Sequence, residues 1–144
     1  AATGSSLAEL EAVAVDLARR TRVIGALDTL DNLKKGGRIG NARALLATAL
    51  SIKPIIEVVD GVVEQAGKQR TRSKALAFLV EQVQPYAGRM EDLAVLHADC
   101  SDVDRLVEML TPFHSGEILV GEIGPVIGTH AGRGTIGVAF HEGD

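Results

Sequence analysis

Tryptophan is absent from these 144 residues, tyrosine occurs once, and aromatic side chains make up only 3% of the chain. A core must therefore be assembled from Ala, Val, Leu and Ile, and the stacking platforms that single-stranded nucleic acid needs are missing. Positive charge is scarce as well. Fifteen basic residues against 19 acidic ones leave a net charge of −4, which argues against the basic face of a dedicated nucleic-acid binder. A single cysteine, Cys100, excludes an internal disulfide and any CxxC metal site, and fits a reducing cytoplasm. No apolar run approaches the ~18 residues that span a bilayer, and the opening segment lacks a signal-peptide layout. The loose start, Ala-Ala-Thr-Gly-Ser-Ser, reads as that of a piece trimmed from something longer. What is present is a hydrophobic fraction of 46%, enough for one well-filled core.

Ser6 and Glu9 have capping-box spacing, and Leu7, Leu10, Ala14 and Leu17 recur at helical intervals, predicting an amphipathic helix over 7–20. Val23 to Leu27 reads as a strand ending at Asp28. Asp28 or Thr29 then caps a short helix with Leu30 and Leu33, which Gly36-Gly37 stops. Asn41 opens a further helix carrying Leu45, Leu46, Ala49 and Leu50. The runs Ile55, Ile56, Val58, Val59 and Val62, Val63 flank Asp60-Gly61, the signature of a hairpin closed by a type I′ turn. Pro54, with no N–H to donate, belongs at a strand start or a free edge. Helical spacing returns over 72–84, a strand follows at 93–96, and Ser101 caps a helix bearing Val103, Leu106, Val107 and Leu110. Strands are expected at 118–123 and 137–140, with a glycine-rich turn from Gly124 to Gly134 between them. This order contains a hairpin and no repeating βα units, so the chain reads as one α+β domain over residues 1–144.

Chemistry concentrates in Gly128-Thr129-His130-Ala131-Gly132-Arg133-Gly134. Glycines allow close backbone approach to a ligand. A histidine held there can donate an imidazole hydrogen bond to an anionic or carbonyl group, with Thr129 adding a hydroxyl and Arg133 a second cation. Gly36-Gly37-Arg38-Ile39-Gly40 reads mainly as a helix stop followed by a helix start. A phosphate cradle is the minority reading, and the Lys-Ser/Thr ending of a P-loop is absent. Lys68, Arg70, Arg72 and Lys74 read as a solvated basic face, with contact to an acidic partner or membrane surface as the lesser reading. The histidines at 97, 114, 130 and 141 lack metal-ligand spacing. His97 and Asp99 read as turn residues and Cys100 as structural.

Three blocks, in order, carry a resemblance. Ile123-Gly124-Pro125-Val126-Ile127-Gly128-Thr129-His130-Ala131-Gly132 resembles the carboxyl-terminal "IGPVIGTHxGPG" signature of the DegV family. Leu30-Asp31-Asn32-Leu33-Lys34-Lys35-Gly36-Gly37-Arg38-Ile39 is similar to its "LxxLxKGGRI", and Leu50-Ser51-Ile52-Lys53-Pro54-Ile55-Ile56 to its "LxIKPI" strand. Asp60-Gly61, Arg70, the helix from Ser73 and His97-Ala98 continue the likeness, which covers about residues 26–140. One departure is Arg133, where the family pattern has Pro.

The resemblance implies a two-layer α+β domain of the DegV carboxyl-terminal type: a mixed, largely antiparallel sheet with helices packed on it. The family's amino-terminal α/β domain has no counterpart in these residues. It further implies a carrier and not an enzyme, with no cofactor, that holds a long-chain fatty acid and presents its carboxylate to a separate fatty acid kinase subunit. His130 maps onto the carboxylate-binding histidine, with Gly128, Thr129, Gly132 and Arg133 as the surrounding ligand loop. Arg38 is the candidate for docking the kinase. Such a carrier is expected in the cytoplasm, with room for peripheral membrane contact and no nucleic-acid partner. The alternatives are a hydrolase or phosphotransferase using His130 with Asp99 or His97, and a structural assembly module.

Overall fold

The structure, a computed structural model, describes residues 4–47 and 51–143. Ser6 and Glu9 cap α1 (Leu7–Arg20) reciprocally, Glu9 N–H donating to Ser6 Oγ and Ser6 N–H to the Glu9 carboxylate. The helix buries none of its residues, and Leu7, Val13 and Val15 stay exposed along it. It runs directly into β1 (Thr21–Ala26), followed by α2 (Asp31–Lys35) and a 3-10 stretch over Gly40–Ala47. That stretch stands where an α-helix was expected from Asn41, and the expected positions Ala49 and Leu50 lie outside the described residues.

The hairpin forms as the sequence predicts. β2 (Lys53–Val59) and β3 (Val62–Gln69) pair antiparallel, and Asp60 (φ 50°) and Gly61 (φ 77°) both take the positive φ of a type I′ turn. Thr71 caps α3 (Arg72–Val83), and β4 (Met90–His97), α4 (Val103–Leu110), β5 (Leu119–Glu122), α5 (Pro125–Ala131) and β6 (Ile136–Glu142) complete the chain. The six strands form one sheet in the order β3-β2-β1-β6-β4-β5, antiparallel throughout except for the β4–β5 pair. The α+β class with a mixed, largely antiparallel sheet is thus the one the sequence implies.

The segment 124–134 requires a correction, since most of it is the helix α5 and not a turn. Pro125 occupies the first helical position, where a missing N–H costs nothing, and Gly132 at φ 85° ends the helix. Gly128 N–H and Gly132 N–H each donate 2.8 Å bonds to the carbonyls four residues earlier. Glycine content suggested a loop, but the start and stop residues define a short helix. His130 consequently sits in its last turn.

One sheet face carries the main core. Ile24, Ile55, Val95, Ile136, Val138 and Phe140 pack under α3 and α4, represented by Leu76, Leu79, Leu106 and Leu110. Alternate residues of the same strands point the other way, and a smaller cluster of Leu27, Leu30, Leu33, Ile39, Ala42 and Leu45 covers part of that second face. The remainder stays open.

Arg72 locks the two layers together. Its guanidinium donates to both Asp102 oxygens (2.7 and 2.9 Å), to Gly134 O (2.5 Å) and to Cys100 Sγ (3.2 Å). Lys68, Arg70 and Lys74 are solvated as expected, but Arg72 departs from the solvated basic face because Asp102 and Gly134 O converge on it from distant segments. The expected cap of α4, Ser101, does not hold it. Asp102, not Ser101, takes the N-cap position, and its carboxylate is committed to Arg72. Hydrogen bonding from Arg72 holds the Asp102 carboxyl below the usual carboxylate range.

Because that pKa is depressed on folding, its stabilisation is complete above the free Asp value of ~3.9 and disappears as pH falls through the folded value. Asp102→Asn should therefore destabilise the protein at neutral pH by about 1.5–3 kcal/mol, towards the low end given partial solvent access. Urea unfolding midpoints of variant and wild type should converge on acidification. A gap that persists unchanged at low pH would contradict the assignment.

Candidate ligand groove

Strands β1 and β2 are apolar on consecutive residues, Val23-Ile24 and Val58-Val59, a pattern of strands dry on both faces. Helices α3 and α4 cover only one of those faces. On the other, β3, β2, β1, β6 and β4 form the floor of a groove of about 320 Å³, bounded by α2 and α5 and lined by Val23, Gly25, Leu33, Ile56, Leu96 and Ile127 among others. Three polar side chains reach its lining: His130, Arg38 and Thr135. Thr135 is buried and its hydroxyl donates to Ala131 O at 3.0 Å. That leaves His130 and Arg38 for a ligand.

The two motif blocks that lie almost a hundred positions apart meet here, where α2 packs on α5. Gly36 faces the imidazole directly: a Cβ at that position would lie 2.7 Å from His130 Cε1 and closer still to Nδ1. In return Gly132 faces the Asn32 side chain, whose Cγ would lie 3.4 Å from an added Cβ. The glycines thus act chiefly by leaving space, and each receives a side chain from the opposite block.

This seat also orients the ring. His130 Nδ1 is buried without a hydrogen-bond partner, the one such side-chain atom among the described residues, a description that Nε2 does not share. A neutral imidazole carries one N–H and one bare nitrogen. Its hydrogen is best placed on Nε2, where a partner can accept it, with the bare Nδ1 turned to Gly36. The site therefore presents a single N–H donor at the edge of an apolar trough, beside an exposed guanidinium. Arg38 Nη1 meanwhile donates to Gly36 O at 3.2 Å, which keeps the guanidinium close to the same glycine. An amphiphile with an acceptor head group and a hydrocarbon tail matches this arrangement.

The other positions singled out in the sequence are not part of the groove lining. Thr129 donates its hydroxyl to Pro125 O at 2.7 Å, inside its own helix. Gly128 lies within α5 and Gly132 at its end, and Arg133 points to solvent, 87% exposed, in an ion pair with Asp99. That pair, together with the 3.4 Å bond from Cys100 N–H to His97 Nδ1, engages the residues named as alternative catalytic partners for His130. Reading the sequence overlooked Gly36 as a contact and Gly25 as floor. A glycine inside an apolar strand run was the available signal, since it marks a place where something approaches the backbone closely.

Comparison with known proteins identifies the family and the fold. Residues 1–143 match the family model described as uncharacterised protein, DegV family. A DegV domain-containing protein of Clostridium acetobutylicum is 38% identical over 141 residues, covering 96% of this chain and 50% of that protein. Among solved structures, a DegV family protein of Corynebacterium glutamicum superposes with a TM-score of 0.86 at 31% identity, over 99% of this chain and 56% of the other. A DegV family protein of Thermus thermophilus, described as binding fatty acid, gives 0.85 at 34% identity over 97% of this chain and 52% of the other. The chain spans about half the length of the curated relatives it matches.

Gly36→Ala should push the imidazole off its seat. Overpacking of this kind costs about 1–3 kcal/mol, and the His130 ring resonances in a histidine-selective NMR spectrum should shift while those of His114 stay in place. Unmoved His130 resonances would show that Gly36 is not its support.

Proposed function

We propose, from the premise that this chain belongs to the DegV family, that it binds a long-chain fatty acid along the groove and fixes the carboxylate at His130. The observation that carries the reading is the open Nε2 of His130 at the rim of an otherwise apolar trough. Each buried methylene contributes ~0.8 kcal/mol, so a long acyl chain supplies on the order of 10 kcal/mol gross. A hydrogen bond between the imidazole and a carboxylate adds only ~1.5–3 kcal/mol. The tail accounts for affinity and the histidine for where the acid group points. In the wider ligand loop Thr129, Gly128, Gly132 and Arg133 shape and hold α5, and the role of each toward the ligand is indirect.

The chain is then part of a carrier. Its carboxylate, held at the groove mouth, is offered to a fatty acid kinase that converts it to acyl phosphate. Arg38, exposed at the same rim, docks that partner. The exposed Val126 and Ile127, 78% and 63% accessible, support uptake and delivery at a membrane surface from a cytoplasmic location.

Organic extraction of the intact protein, prepared without delipidation, should release fatty acid detectable by mass spectrometry. Protein free of any acyl ligand would overturn the reading. His130→Ala should weaken binding of the free acid by about ten- to a hundredfold, the equivalent of one charge-assisted hydrogen bond, and weaken the methyl ester, a neutral acceptor, much less. Arg38→Glu, assayed with fatty acid at saturation, should lose acyl-phosphate formation with the kinase. Full phosphorylation of that variant would remove Arg38 from partner docking.

A further inference from the structure

We propose that Asp28 is a positioning residue for the His130 imidazole, held by Lys53 and acting through Gly134. This inference rests on the reading of His130 as the head-group site and adds the device that keeps its ring in place. Residues 28, 32 and 36 meet residues 134, 132 and 130 in reverse order, so each advance of four along the α2 block answers a retreat of two at the end of α5. At every one of these contacts a glycine receives the opposite side chain. Gly36 receives His130, Gly132 receives Asn32, and Gly134 receives Asp28.

The contact at Gly134 is as close as the other two. Asp28 Cγ lies 2.8 Å and Oδ1 3.4 Å from where a Cβ on Gly134 would stand, so the carboxyl group rests on bare glycine backbone. Gly134 has φ 79°, a conformation that residues with side chains rarely adopt. Its backbone is also fixed on both sides. The N–H donates to Ala98 O at 2.8 Å, and the C=O accepts from Arg72 Nη1 at 2.5 Å. From there the path to the histidine is short. Thr135 N–H donates to Gly132 O at 3.4 Å, and its hydroxyl donates to Ala131 O at 3.0 Å, next to His130 in the chain.

Asp28 is in turn held from the sheet. Lys53 Nζ, at the start of β2, donates to Asp28 Oδ1 at 2.7 Å, and beside it Leu27 N–H donates to Pro54 O at 2.9 Å. The Lys53 and Asp28 side chains are 30% and 46% exposed, and an ion pair so open to water contributes little to stability. Its effect is directional: it keeps the carboxyl group on Gly134. Neither residue belongs to the groove lining, so their influence on a ligand passes through the end of α5.

The test places Asp28→Ala and Lys53→Met in the intact protein and takes two readings. In histidine-selective NMR of the ligand-free protein, the His130 ring resonances should shift in both variants, further in Asp28→Ala, while those of His114 stay in place. Lys53→Met should keep the unfolding midpoint of the wild type, which preserves the test if Asp28→Ala fails to fold. In binding, Asp28→Ala should weaken hexadecanoic acid about three- to tenfold and its methyl ester much less. The same substitution in a His130→Ala background should weaken the acid no further, because the two residues act as one unit. Unmoved His130 resonances in both variants, or an acid loss that persists in full without the imidazole, would overturn the proposal. A wild type that binds no acid, with the His130 shift present, would defeat the fatty-acid reading and leave Asp28 as the support of the ring.

Discussion

The contact between Gly36 and the His130 imidazole is the constraint on which the candidate site depends. Any residue with a side chain at the position that caps α2, where Gly36 stands, would displace the ring, since an added Cβ overlaps it. Removing that contact would free the ring to turn within the groove lining. The constraint works in both directions: the end of α5 is held where Asn32 lies against Gly132, so α2 and α5 index each other's position. A rigid donor is what a carrier requires. Binding strength can come from any sufficiently long apolar surface, but presenting an acid group at one fixed place needs a pre-set hydrogen bond.

The sheet makes the division between stability and binding plain. Its strands are apolar on both faces, but α3 and α4 close only one, and that closed face holds most of the largest buried side chains, Phe140 among them. Arg72 secures the closed side by tying α3 to the start of α4 and to the loop after α5. Through Gly134 O it also steadies the segment that leads away from His130. The open face keeps Val23 and Val58 exposed, while the closed face carries the core. Open apolar surface of this extent is otherwise a liability in water.

Much of this was legible in the sequence, for reasons that can be traced residue by residue. Ser6 and Glu9, Asp60-Gly61, and the alternating and helical apolar runs act locally, so the capping box, the hairpin and most elements follow from neighbours alone. The ordered blocks marked the family and drew attention to His130. Less visible was whatever depends on residues far apart in the chain. Helix α5 was hidden because its glycines resemble a loop, although Pro125 at the first helical position pointed to a helix. Arg72 looked like one more basic residue in a solvated run until the fold brought Asp102 to it. Gly36 read as a helix stop, and only its juxtaposition with α5 reveals it as the seat of an imidazole. Arg133 and Thr129 show the converse, since proximity in sequence to His130 did not bring them into the groove lining.

The central claim concerns one nitrogen and one carboxyl carbon. It is tested most directly by loading the intact protein, labelled with nitrogen-15 at histidine, with hexadecanoic acid carrying carbon-13 at the carboxyl, and recording through-space transfer between the two labels. The account predicts transfer from the carboxyl carbon to Nε2 of His130. Transfer to a different histidine, or none from a demonstrably bound acid, would contradict it.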